Sequence, residues 1–141
     1  MSEQDTFHFE LVSPEQKLIS APAKMVTIPG EEGDFGVLPM HAATISTIRP
    51  GVIEIISNDN EEPQRIFVAG GFADVTDKSC TVLAEEAIDI KDLSQDELEQ
   101  TIRNLNEDLG MAGEDLEKSR IMGKLELAKA KLSALTGTYV A

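Results

Sequence analysis

The sequence predicts a mostly β chain with an α appendage: an N-terminal antiparallel β-sandwich over residues 1–90, then a C-terminal antiparallel two-helix hairpin over residues 91–141. Three observations carry this. Short apolar runs alternate with a period of two through the first part. Turn-forming residues punctuate them at short intervals. Past residue 91 the apolar residues recur every three or four positions instead.

The residues themselves mark five strands: Phe7–Val12, Lys24–Ile28, Val52–Ile56, Arg65–Val68 and Thr81–Leu83. Pro14 follows the first, Pro29-Gly30 the second, and Pro50-Gly51 precedes the third. Asn58-Asp59-Asn60 with Pro63, and Asp77-Lys78-Ser79, read as hairpin loops. Strands this short and regular favour a sandwich or a flattened barrel.

Leu93-Ser94-Gln95-Asp96-Glu97-Leu98 offers an N-cap serine, a glutamate three positions on and flanking leucines, so a helix is expected to start at Ser94. Leu98, Ile102, Leu105 and Leu109 form its stripe, Gly110 and Gly113 are expected to bracket a turn, and a second helix should begin near Glu114. Ile121, Leu125, Ala128, Leu132 and Leu135 continue the seam, which Gly137 is expected to end. Glu114, Asp115 and Glu117 come early and Lys129 and Lys131 late, as the helix dipole prefers. The seam is narrow for the backbone it must order, so the hairpin is expected to need a docking surface and to be capable of moving.

Twelve Lys and Arg stand against 26 Asp and Glu, a net charge of −14, so repulsion disfavours nucleic acid as a partner and none is expected. The acidity is uneven: 16 acids and 5 bases in residues 1–90 give −11, and 10 acids and 7 bases in residues 91–141 give −3. The two segments are therefore expected to face different partners. Cys80 is the only cysteine, which rules out an internal disulfide and agrees with a reducing compartment. Met1-Ser2-Glu3-Gln4-Asp5 carries no sign of an export or organelle signal, and no long apolar run follows.

No catalytic constellation is expected. His8 lies in an alternating strand and His41 after Leu38-Pro39-Met40, so neither a two-histidine metal set nor a Ser/His/Asp triad assembles by spacing. Gly30-Glu31-Glu32-Gly33-Asp34-Phe35-Gly36 superficially resembles a phosphate loop, but its three carboxylates would repel phosphate and no helix follows. It reads either as a tight loop needing positive φ or as an exposed acidic contact loop. Gly70-Gly71-Phe72 reads as a bulge or a close backbone approach. A sandwich hydrolase or sugar-binding domain would need aromatic platforms, and the chain has no tryptophan and one tyrosine, Tyr139.

Taken in order, Phe9-Glu10-Leu11-Val12-Ser13-Pro14-Glu15, the run from Gly30 to His41, Arg49-Pro50-Gly51, Ala69-Gly70-Gly71-Phe72 and Val82-Leu83-Ala84-Glu85-Glu86-Ala87 resemble the epsilon subunits of F-type ATP synthases. The resemblance covers almost the whole chain. It implies a ten-stranded sandwich seated on the membrane c-ring and gripping the gamma shaft. It also implies a hairpin that can fold on the sandwich or extend beside gamma to block ATP hydrolysis. The role would be non-catalytic, coupling proton-driven rotation to ATP synthesis at the cytoplasmic face of the bacterial inner membrane, with membrane association only through the complex.

Carried over by position, the c-ring contact falls on Glu31, Asp34 and His41, with Glu32 beside them. Met40 stands where many members have a small residue. Inhibitory contacts to the catalytic alpha and beta subunits would fall on Lys118, Arg120, Lys124, Lys129 and Lys131. Because Asp96, Glu97, Glu99, Glu107 and Asp108 share the hairpin, weak inhibition is expected. Some members bind ATP through an aliphatic residue, Asp, two variable positions, Arg and Ala. Here Ile88 and Asp89 match, but Asp92 and Leu93 replace the Arg and Ala, so no cofactor is expected. A free-standing ATP-binding regulatory module is the alternative reading.

Overall fold

The computed structural model describes residues 5–58 and 61–137. The chain divides into two units, Met1–Asp89 and Ile90–Ala141.

Among its described residues the first unit holds ten strands: β1 Phe7–Val12, β2 Lys17–Ala23, β3 Met25–Gly30, β4 Gly33–Val37, β5 Thr44–Thr47, β6 Gly51–Ile56, β7 Gln64–Ala69, β8 Phe72–Val75, β9 Ser79–Leu83 and β10 Glu86–Asp89. They form two five-stranded sheets, ordered β2-β1-β9-β8-β5 and β10-β7-β6-β3-β4. Every pairing is antiparallel except β1 with β9, which run parallel. Alternate residues point inward: Phe7, Phe9 and Leu11 from β1, Val26 and Ile28 from β3, Ile53 and Ile55 from β6, and Val75, Cys80 and Val82 from β8 and β9 build one core. Fully burying apolar side chains of this size contributes about 1.5–3 kcal/mol each.

One expectation about this unit changes. The run Gly30–Gly36 is not one loop: only Glu31 and Glu32 turn, and Gly33–Val37 is a strand paired with β3. Gly33 has φ 134°, which glycine alone tolerates there. Beyond the five strands legible in the residues, β2, β4, β5, β8 and β10 are also present, making up the ten that the resemblance implied. Asp59 and Asn60, expected in the β6–β7 loop, lie outside the described residues.

Gly70 and Gly71 lie between β7 and β8, where the backbone passes from one sheet to the other. Gly71 has φ 95°, and a Cβ there would sit 1.7 Å from the Leu83 carbonyl oxygen. The close-approach reading is the one realised.

In the second unit a 3-10 turn at Ile90–Asp92 leads into α1, Gln95–Met111, and α2, Asp115–Thr136. Ser94 caps α1, its Oγ accepting from the Glu97 backbone N–H at 3.3 Å. Gly110 does not open the turn, because α1 runs through it to Met111 and the connection is Ala112–Glu114. Gly137 closes α2 in the left-handed conformation. The helices pack along each other. Leu125, Ala128 and Leu132 are buried, and Leu98, Ile102, Leu105, Leu109, Ile121 and Leu135 are half-buried.

Candidate functional site

The two-residue turn Glu31-Glu32 tips the β3–β4 hairpin, with both side chains exposed. Its position is fixed by backbone bonds to the segment that ends β5 and begins β6. The Glu31 N–H donates to the Thr47 carbonyl at 2.9 Å, Gly30 bridges Ile48, and the Arg49 N–H donates to the Pro29 carbonyl at 3.0 Å. Asp34 stands beside the tip on β4 and is ion-paired with the Arg49 guanidinium. Together with Gly33, Phe35 and Thr44–Thr47, these acidic residues line an open cleft of about 480 Å³.

His41 is not on this cleft. It follows the far end of β4, in the turn Leu38-Pro39-Met40-His41, whose His41 N–H donates to the Leu38 carbonyl at 3.2 Å. Its Nδ1 donates to the Ala42 carbonyl at 2.6 Å. Met40 borders a second cleft of about 430 Å³ with Phe7, His8, Pro22, Asp77 and Lys78. Glu31 and Asp34 are thus brought together, and His41 belongs to a separate part of the surface.

Ile88 and Asp89 are half-buried in β10, opposite Phe67 and Ile66 of β7. On the helical hairpin Lys118, Arg120 and Lys124 are exposed, while Lys129 and Lys131 are half-buried.

One cluster was not anticipated from the sequence. On the outer face of β1 and β2, Glu10 Oε1 lies 3.1 Å from His8 Nε2 and 3.3 Å from Lys17 Nζ, and the Ser20 hydroxyl lies 3.1 Å from the same His8 nitrogen. The His8 hydrogen bond, then the one from Lys17, holds the Glu10 carboxyl below its ordinary range. The signal was available in the alternation, since His8 and Glu10 share a face of β1. Burial, then the Asp74 charge, pushes the Cys80 thiol up to about 12, so it sits in the core as a small apolar group.

The fold defines a class: a β-sandwich joined to a helical hairpin, with its charged chemistry on the surface. Residues 6–90 match the family model described as ATP synthase, Delta/Epsilon chain, beta-sandwich domain, and residues 92–140 match the model of the C-terminal domain of the ATP synthase epsilon chain. A relative named ATP synthase epsilon chain from Rhodospirillum centenum is 48% identical over 135 residues, covering 93% of this chain and 92% of the relative. The Maricaulis maris protein of the same name is 43% identical, covering 89% of this chain and 96% of the relative. The chain belongs to the ATP synthase epsilon chain family. A chain in the Euglena gracilis mitochondrial ATP synthase (OSCP/F1/c-ring) shares the fold, with a TM-score of 0.77 at 20% identity, covering 94% of this chain and 81% of that one. A chain in the Tetrahymena thermophila mitochondrial ATP synthase central stalk and c-ring aligns with a TM-score of 0.63 at 15% identity, covering 96% and 98%. Among the described residues no helix is long and apolar enough to cross a membrane.

Proposed function

We propose that this chain is a non-catalytic rotor subunit of an F-type ATP synthase, seated on the c-ring and gripping gamma, so that proton-driven rotation reaches the catalytic subunits. The observation that carries this reading is the family match over both units, from residue 6 to residue 140. The location that follows is the cytoplasmic face of the bacterial inner membrane, reached through the complex.

The acidic β3–β4 hairpin is suited to the ring contact. Glu31 and Glu32 project from a turn held at both sides by backbone bonds, so their charges meet a cationic partner in a fixed register. His41 supplies a second contact from its separate turn. On the helical hairpin Lys118, Arg120, Lys124, Lys129 and Lys131 are the groups for acidic segments of alpha and beta. The five acids of α1 weaken that attraction, so inhibition of hydrolysis is feeble. In the ATP motif Ile88 and Asp89 are retained but Asp92 stands in place of the arginine that would meet phosphate, so no nucleotide is bound.

The test is to offer the tagged protein to detergent extracts of its host's membranes and identify what is retained. Recovery of gamma with c subunits supports the reading. Bait that captures neither overturns it.

A further inference from the structure

Arg49 touches both strands of the acidic hairpin at one rung. Its backbone N–H donates to the Pro29 carbonyl at 3.0 Å, and its guanidinium pairs with Asp34. Pro29 and Asp34 are register partners across β3 and β4. Pro29 turns its backbone toward Arg49 and away from β4, so it gives β4 no hydrogen bond at this rung, and β4 is an edge strand paired only with β3. The motif Arg49-Pro50-Gly51 then has a physical meaning. A Cβ at residue 51 would come within 2.8 Å of Pro29 and 3.1 Å of the Arg49 guanidinium, so glycine leaves the space through which the arginine reaches.

From this geometry we propose that Arg49 is a positioning residue: it clamps the β3–β4 hairpin and consumes the charge of Asp34, leaving Glu31 and Glu32 as the carboxylates that meet the ring. The inference rests on the docking reading of the hairpin. The pair is exposed, at 41% and 62% for the two side chains, so it adds little to global stability and acts locally on the hairpin. Glu31 and Glu32 make no side-chain hydrogen bond or ion pair with a described residue. Asp34 therefore differs from them in being already partnered.

Two readouts test this. In the free protein, amide hydrogen exchange at Phe35, the next residue in the β3–β4 register, is measured for Arg49→Gln, Asp34→Asn and the double variant. The clamp predicts faster exchange in each single variant and no further gain in the double; unchanged exchange overturns it. In the complex, the full-length variants are rebound to ATP synthase membranes stripped of this subunit. The clamp predicts affinity reduced by about fivefold for Arg49→Gln and Asp34→Asn alike, with most of it kept in Arg49→Lys. If Asp34 met the ring itself, Asp34→Asn would weaken rebinding while Arg49→Gln tightened it, and the inference would fall. Rebinding indifferent to Glu31→Gln/Glu32→Gln, with exchange still faster in the Arg49 variant, would overturn the docking reading and uphold the clamp.

Discussion

Met40 carries a conformation that its side chain does not favour. It occupies the third position of the turn Leu38–His41 with φ 68°, behind Pro39, where the backbone suits glycine. A left-handed residue with a Cβ costs about 1–2 kcal/mol, and glycine's extra freedom in the unfolded chain takes back roughly 0.5–1. Met40 is 69% exposed, so little packing is lost. Met40→Gly is expected to stabilise the protein by about 0.5–1 kcal/mol, read as a higher urea midpoint; a lower midpoint would contradict the assignment of this turn. Glu10 gives a second prediction at this scale. Its carboxyl titrates lower in the folded chain than its ordinary value of 4.5, so its contribution is complete above that value and vanishes as pH falls through the lowered one. His8→Ala should raise the Glu10 titration toward 4.5, and Lys17→Met should do so less, both followed by carboxyl chemical shifts against pH. The sequence places His41 in a loop by its Leu38-Pro39-Met40 lead, but does not show that four residues of turn and all of β4 part it from Glu31. That separation depends on reading Gly33–Val37 as a strand, and its glycines conceal this.

At the scale of the element, the strands that periodicity reveals are β1, β3, β6, β7 and β9, and all five lie inside their sheets. The four edge strands, β2, β4, β5 and β10, escape it. An edge strand needs a ladder on one side only, so it tolerates Pro22 in β2 and Gly33 and Gly36 in β4, and it carries polar residues that blunt pairing with other proteins. Interior strands are held to apolar alternation by burial, and so they are legible. β8 is interior but only four residues long, too short for a period to show. Helices are read better, because caps are local chemistry. Ser94 is legible as the N-cap for that reason, whereas Gly110 reads as a stop and is not one, because glycine in a helix lowers stability without forbidding the helix. Ser94→Ala removes the 3.3 Å acceptor for the Glu97 N–H and is expected to cost about 1 kcal/mol, seen as earlier thermal loss of helical ellipticity while the sheet signal is unchanged. Simultaneous loss of both signals would show that the two units unfold as one.

For the whole molecule, the division of charge matches the division of labour proposed for it. Residues 1–90 carry 16 acids against 5 bases and present acidic groups at the tip of a stitched hairpin, while the helical unit, with 10 acids against 7 bases, is closer to neutral. Truncation after Ile90 is therefore expected to leave docking intact and to change ATP hydrolysis by the assembled enzyme little. A marked rise in hydrolysis would mean that the basic residues of α2 outweigh the acids of α1. The most direct measurement adds the purified protein to inverted membrane vesicles whose ATP synthase lacks this subunit and follows ATP made under an imposed proton gradient. Restored synthesis, saturating with the added protein, is the result expected of a coupling subunit of the rotor; synthesis that stays lost, although the protein is seen to bind gamma and the c-ring, would contradict it.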